Sequence, residues 1–60
     1  MTVEIVVENT QDFIAAEMYL FKLEFDRHIK FDIFVRATGQ TWFYETQYQP
    51  EIDKWFVETI

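Results

Sequence analysis

A small two-layer α+β domain in β-α-β-β-β order, with one helix packed on a mostly antiparallel sheet, is the fold class this sequence predicts. Three observations carry that expectation. Residues 28–60 break into three runs rich in β-branched and aromatic residues, separated by the only glycine and the only proline of the chain. Residues 2–8 alternate apolar and polar side chains. Residues 10–25 are dominated by good helix formers.

The first strand is expected over Thr2 to Glu8, where Val3, Ile5 and Val7 alternate with Thr2, Glu4 and Glu8, and only Val6 departs from the pattern. Its partner is expected to be a strand of the later meander, reached by a helical crossover. Asn9-Thr10 then marks a helix start: either side chain can accept from an orphan amide, and Asp12 suits the positive end of the helix. At 100° per residue, Ile14, Met18, Phe21 and Phe25 form one apolar stripe. Ala16, Leu20 and Leu23 form a second, edged by Phe13 and Tyr19. One stripe suffices to cover a sheet, so the second reads either as a broad buried face or as a surface for association. Residues 19–26 also alternate, which keeps a strand there as a competing reading.

The last three strands form a meander. Gly39, in Ala37-Thr38-Gly39-Gln40, supplies the positive φ of a tight hairpin, predicted here with Thr38-Gly39 as a two-residue loop. Pro50 to Asp53 is predicted as a four-residue loop, with Pro50 at its first corner and Asp53 at a left-handed exit. A terminal helix over residues 50–60 is the alternative, since Ile52, Trp55, Phe56 and Ile60 have helical spacing. In the strand reading, Val35 faces Trp42, Ile33 faces Tyr44, Phe31 faces Thr46 and Ile29 faces Tyr48. Across the second loop Tyr48 faces Trp55, Thr46 faces Val57 and Tyr44 faces Thr59. These residues form the predicted core face.

The opposite face is predicted to be unusual. It aligns Phe34, Phe43 and Ile60 in one row, Asp32, Glu45 and Glu58 in the next, and Phe56 beside Gln47. A sheet face that merely meets water is normally polar throughout, and like charges on adjacent strands repel. Aromatic anchors ringed by acids suit a protein interface.

Composition bounds the function. Sixty residues make one domain, spanning 1–60. The formal charge is −6, and the acidic excess is spread over residues 1–9, 10–25 and 26–60 alike, so the field belongs to the folded surface rather than to a tail. Direct binding to nucleic acid or to an anionic membrane is disfavoured, because both need a basic patch. No apolar run is long enough to span a bilayer, and the start lacks a basic leader or a lipidation motif. A cytoplasmic location fits a chain without cysteine.

The chemistry is equally bounded. With no serine and no cysteine, neither can serve as nucleophile; one glycine cannot build a phosphate loop. Asp26, His28 and Asp32, with Glu24 nearby, are the best metal-ligand candidates, but Asp26 and Asp32 lie too far apart along a strand to share an ion without a bend. Glu45 with Glu58 could do acid–base work only with a pocket around the substrate. No catalytic residue, metal or cofactor is expected. The functional expectation is a non-enzymatic protein-binding or inhibitor module that uses Phe34, Phe43, Phe56, Ile60, Asp32, Glu45 and Glu58, takes another, basic protein, and also self-associates. Two alternatives stand beside it: an inhibitor that mimics nucleic acid, and a purely structural homodimer or assembly subunit.

Overall fold

The computed structural model describes Met1 to Glu58 and shows a four-stranded sheet with one helix on one face. The elements are β1 (Thr2–Val7), α1 (Thr10–Lys22), β2 (Lys30–Val35), β3 (Gln40–Gln49) and β4 (Lys54–Glu58). They lie side by side in chain order. β1 runs parallel to β2, and the other two pairs are antiparallel. The crossover expected from β1 is therefore present, because parallel neighbours cannot be joined by a hairpin and α1 supplies the return.

Asn9 begins the helix. Its backbone is extended, its carbonyl accepts from the Phe13 amide, and its Oδ1 accepts from the Asp12 amide at 2.9 Å. One stripe turns toward the sheet: Phe13, Ala16, Leu20 and Phe21, with Glu17 among them. Ile14 and Met18, which the sequence grouped with Phe21 in its first stripe, stay about half exposed, and Tyr19 at the edge of the second is exposed. The helix also ends earlier than its composition suggests. Lys22 is its last residue, and Leu23 is already extended while its amide still bonds the Leu20 carbonyl.

The connection between α1 and β2 is neither helix nor full strand. Phe25 exchanges both backbone hydrogen bonds with Trp55, at 2.9 and 3.0 Å, so one residue of the connection closes the outer edge of β4. Its ring packs 5.4 Å from that of Phe31. That tertiary pairing competes for the backbone that a longer helix would use.

Residues 54–58 form a strand, not a helix, and Pro50 to Asp53 is the predicted four-residue loop, with Asp53 at φ 55°. Tyr48 faces Trp55 and Thr46 faces Val57, as predicted. The expected pair of Tyr44 with Thr59 lies outside the described residues. The β2–β3 register differs from expectation by two residues: Phe31 faces Tyr44, Ile33 faces Trp42 and Val35 faces Gln40. The hairpin loop has four residues, Arg36 to Gly39, closed by the Gly39 amide on the Val35 carbonyl at 2.8 Å. Gly39 takes φ 69° at the last loop position. Both hairpins thus use the same device, a four-residue loop ending in a left-handed residue.

A slip of two keeps every side chain on its face. The core holds Leu20, Phe31, Ile33, Tyr44 and Val57, with Val35 and Thr46 also buried. Trp42 and Tyr48 share that face without being buried. They flank the helix footprint, where Trp42 packs on Phe13 at 5.7 Å and Tyr48 on Trp55 at 5.3 Å.

Candidate functional site

The helix covers only one face, so the other face of the sheet is the broad surface on which the candidate residues lie. Alternation brings Thr2, Glu4 and Val6 of β1 to it, followed by Lys30, Asp32 and Phe34 of β2. β3 contributes Thr41, Phe43, Glu45, Gln47 and Gln49, and β4 contributes Lys54, Phe56 and Glu58.

The observed register rearranges the predicted rows. Phe43 faces Asp32, not Phe34, and Phe34 faces Thr41. Lys30, absent from the predicted row, faces Glu45, and Glu45 faces Glu58 as expected. Three rows result: Val6–Phe34–Thr41, Glu4–Asp32–Phe43, and Thr2–Lys30–Glu45–Glu58. Phe34 and Phe43 remain diagonal neighbours, within reach of aromatic side chains. Phe56 lies beside Gln47, as predicted. Ile60 lies outside the described residues. Sequence reasoning missed Val6, Glu4 and Lys30; the break that Val6 makes in the alternation of β1 was the available signal.

The apolar exposure of this face runs from the edge strand β1 across to β3. Phe43 is 71% exposed, Val6 52% and Phe34 38%, while Phe56 is half-buried. Two shallow depressions meet at Asp32. One, of about 240 Å³, is lined by Lys30, Asp32, Phe43, Tyr44 and Glu45. The other, of about 350 Å³, is lined by Glu4, Ile5, Val6, Asp32, Phe34 and Thr41. Asp32 is thus a half-buried carboxylate between two phenyl rings, with Glu4 directly beside it on β1.

The acids differ in how they are compensated. Glu45 contacts His28 Nε2 at 3.0 Å, and Glu58 accepts from the Gln49 amide nitrogen at 2.6 Å. Those partners offset the repulsion across the Glu45–Glu58 pair. Asp32 and Glu4 have neither an ion pair nor a side-chain hydrogen bond among the described residues. The predicted metal ligands separate: Asp26 is held by Arg27 at 3.0 Å, His28 by Glu45, and Asp32 by neither. Arg27 holds the Asp26 carboxyl below its usual range, mainly through that hydrogen bond. Among the described residues no three His, Asp or Glu side chains gather to hold an ion.

Beneath the sheet, the Tyr44 hydroxyl donates to Glu17 Oε2. Burial, and then that bond, pushes the phenol well above its ordinary value. This pair locks α1 to β3 and belongs to the scaffold. No helix among the described residues is long and apolar enough to cross a membrane. Comparison with protein-family models, with curated proteins and with solved structures finds no match to this chain.

Proposed function

We propose that this chain is a small acidic protein-binding module, without catalytic activity of its own, that receives a partner bearing Lys and Arg on the uncovered face of its sheet. The observation that carries the reading is Phe43. A phenyl ring 71% exposed in the middle of a rigid four-stranded face, opposite a carboxylate without a cation, is an anchor awaiting apolar burial and a counter-charge. Phe34, Val6 and Phe56 extend the apolar contact. Asp32, Glu4, Glu45 and Glu58 supply the field that steers and selects.

Lys30 interrupts the carboxylates, so the face offers no unbroken ladder of acids to stand in for phosphates. The protein-binding reading is favoured over mimicry for that reason. Two copies packed through this face would oppose their own acids, so a basic partner suits it better than a second copy.

The test is chemical-shift mapping with an extended peptide that alternates arginine and leucine. Shifts should cluster at Asp32, Phe34, Phe43, Glu45 and Phe56, fade with added salt, and vanish in a Phe43→Ser variant whose spectrum is otherwise unchanged. Shifts scattered over the helix, or equal in both proteins, would defeat the proposal.

A further inference from the structure

The two edges of the sheet are treated differently. Beyond β4, Phe25 bonds Trp55 in both directions. Beyond β1, no described residue bonds the backbone. Which groups stand free is set by the ladder. The carbonyls of Met1 and Val7 accept from the amides of Lys30 and Arg36. In a parallel strand the amide and carbonyl of one residue point the same way and successive residues alternate. The odd residues of β1 therefore serve β2, while Thr2, Glu4 and Val6 direct amide and carbonyl outward.

The side chains are unfinished at the same place. The core-facing residues of β2, namely Phe31, Ile33 and Val35, are no more than 4% exposed. Their neighbours Val3, Ile5 and Val7 on β1 are all only half-buried. Phe13, Glu17 and Phe21 of the helix meet Trp42 and Tyr44 of β3, so these helix side chains are engaged with β3 rather than with β1. Neither proline, lysine nor a bulge guards β1, although such features usually blunt an exposed edge.

The strand is also complementary to itself. Two copies of β1 set antiparallel about a two-fold axis through Ile5 bring Ile5 against Ile5 and Val3 against Val7 on the core side. On the other face Glu4 meets Val6. The outward amides and carbonyls of Glu4 and Val6 then find partners. Centring the axis on Glu4 instead would oppose two carboxylates, so the Ile5 register is selected. We propose that β1 pairs along its free edge with β1 of a second copy, joining two four-stranded sheets into one of eight strands and extending the half-covered apolar row across the junction.

This does not depend on the partner-binding role of the sheet face; because the Val6 side chain also lies on that face, Phe43→Ser is the control that separates the two. Proline at position 6 removes only an outward amide, so it spares the ladder to β2 while blocking a strand at the edge. Sedimentation of the wild-type chain should show a dimer that tightens with salt, because each copy carries −6 and screening relieves their repulsion. Val6→Pro should weaken dimerisation about tenfold or more, the effect of losing two backbone bonds and the fit around them. Hydrogen exchange on the wild-type protein gives a readout independent of any variant: the amides of Glu4 and Val6 should gain protection as concentration rises. A wild-type chain monomeric at millimolar concentration would overturn the proposal. So would a dimer that Phe43→Ser dissolves and Val6→Pro leaves intact, or one in which those two amides exchange freely.

Discussion

Tyr44 and Glu17 show how one polar contact orders this small core. Tyr44 lies among Leu20, Phe31, Ile33 and Val57, where a phenol needs a partner for its proton. Glu17, on the helix face toward the sheet, accepts it. Both burial and the carboxylate favour the protonated phenol, so its folded-state titration lies above the ordinary value of 10.0. A group whose folded pKa is raised contributes stability that is complete below the unfolded value and lost as pH climbs toward the folded one. Unfolding in urea should therefore become easier as pH rises above about 10. Tyr44→Phe should lower stability at neutral pH by about 1–2 kcal/mol, since a hydrogen bond to a charged group is lost and Glu17 is only half-buried. It should also flatten most of the alkaline slope. The remainder comes from Tyr48, whose titration is raised by its hydrogen bond to Asp53. A variant that keeps the full slope would show that the pair does not couple to folding. Thr46 works by the same logic without titrating. Its buried hydroxyl accepts from the Ile29 amide at 2.8 Å and donates to the Arg27 carbonyl, so a polar residue on the core face anchors the chain entering β2.

The elements were legible in the sequence wherever local chemistry decides them, and obscure wherever a distant partner does. Asn9, the helix formers after it, the alternation of β1 and the Pro50 loop are local, and each appears where expected. The end of α1 is not local, because Phe25 leaves the helix to bond Trp55, thirty positions away in the chain. The β2–β3 register fails for a different reason. A two-residue slip preserves the alternation, so the face of each candidate residue was readable while its neighbour was not. That is why Phe34, Phe43, Asp32 and Glu45 share the predicted face, yet Phe43 lies against Asp32 and Lys30 enters the acid row. The hairpin loop itself is open to test. An added Cβ at Gly39 would meet nothing within 4 Å, so the only penalty of Gly39→Ala is the left-handed backbone. That should cost about 1–2 kcal/mol, and Gly39→Asn clearly less, because asparagine tolerates that region. Equal losses in the two variants, measured by thermal unfolding, would point to a packing role for the loop instead.

At the scale of the whole molecule, the uncovered face and the free edge follow from one shortage. A chain of sixty residues buries only about 60% of the surface it exposes when unfolded. Half of these residues are hydrophobic, and one thirteen-residue helix can cover only one side of the sheet. Apolar side chains therefore remain on the far face and along β1, and acids keep the exposed face soluble. Joining two edges, as proposed, would offset part of that shortage and link stability to association. Anything that binds the folded state alone raises the unfolding temperature by mass action, and for a self-pairing chain the ligand is the chain itself. The unfolding temperature of the wild-type protein should rise by about 5 °C for each tenfold increase in concentration, given ordinary unfolding enthalpies for a dimer of this size. In Val6→Pro the same rise should be displaced to about tenfold or more higher concentration. Salt should shift the wild-type curve upward while weakening capture of a basic peptide at the face, because it screens repulsion between copies and attraction to the peptide alike. Opposite responses in one titration would establish the edge and the face as separate surfaces. A common response would mean that copies and partner compete for the same ground around Phe43.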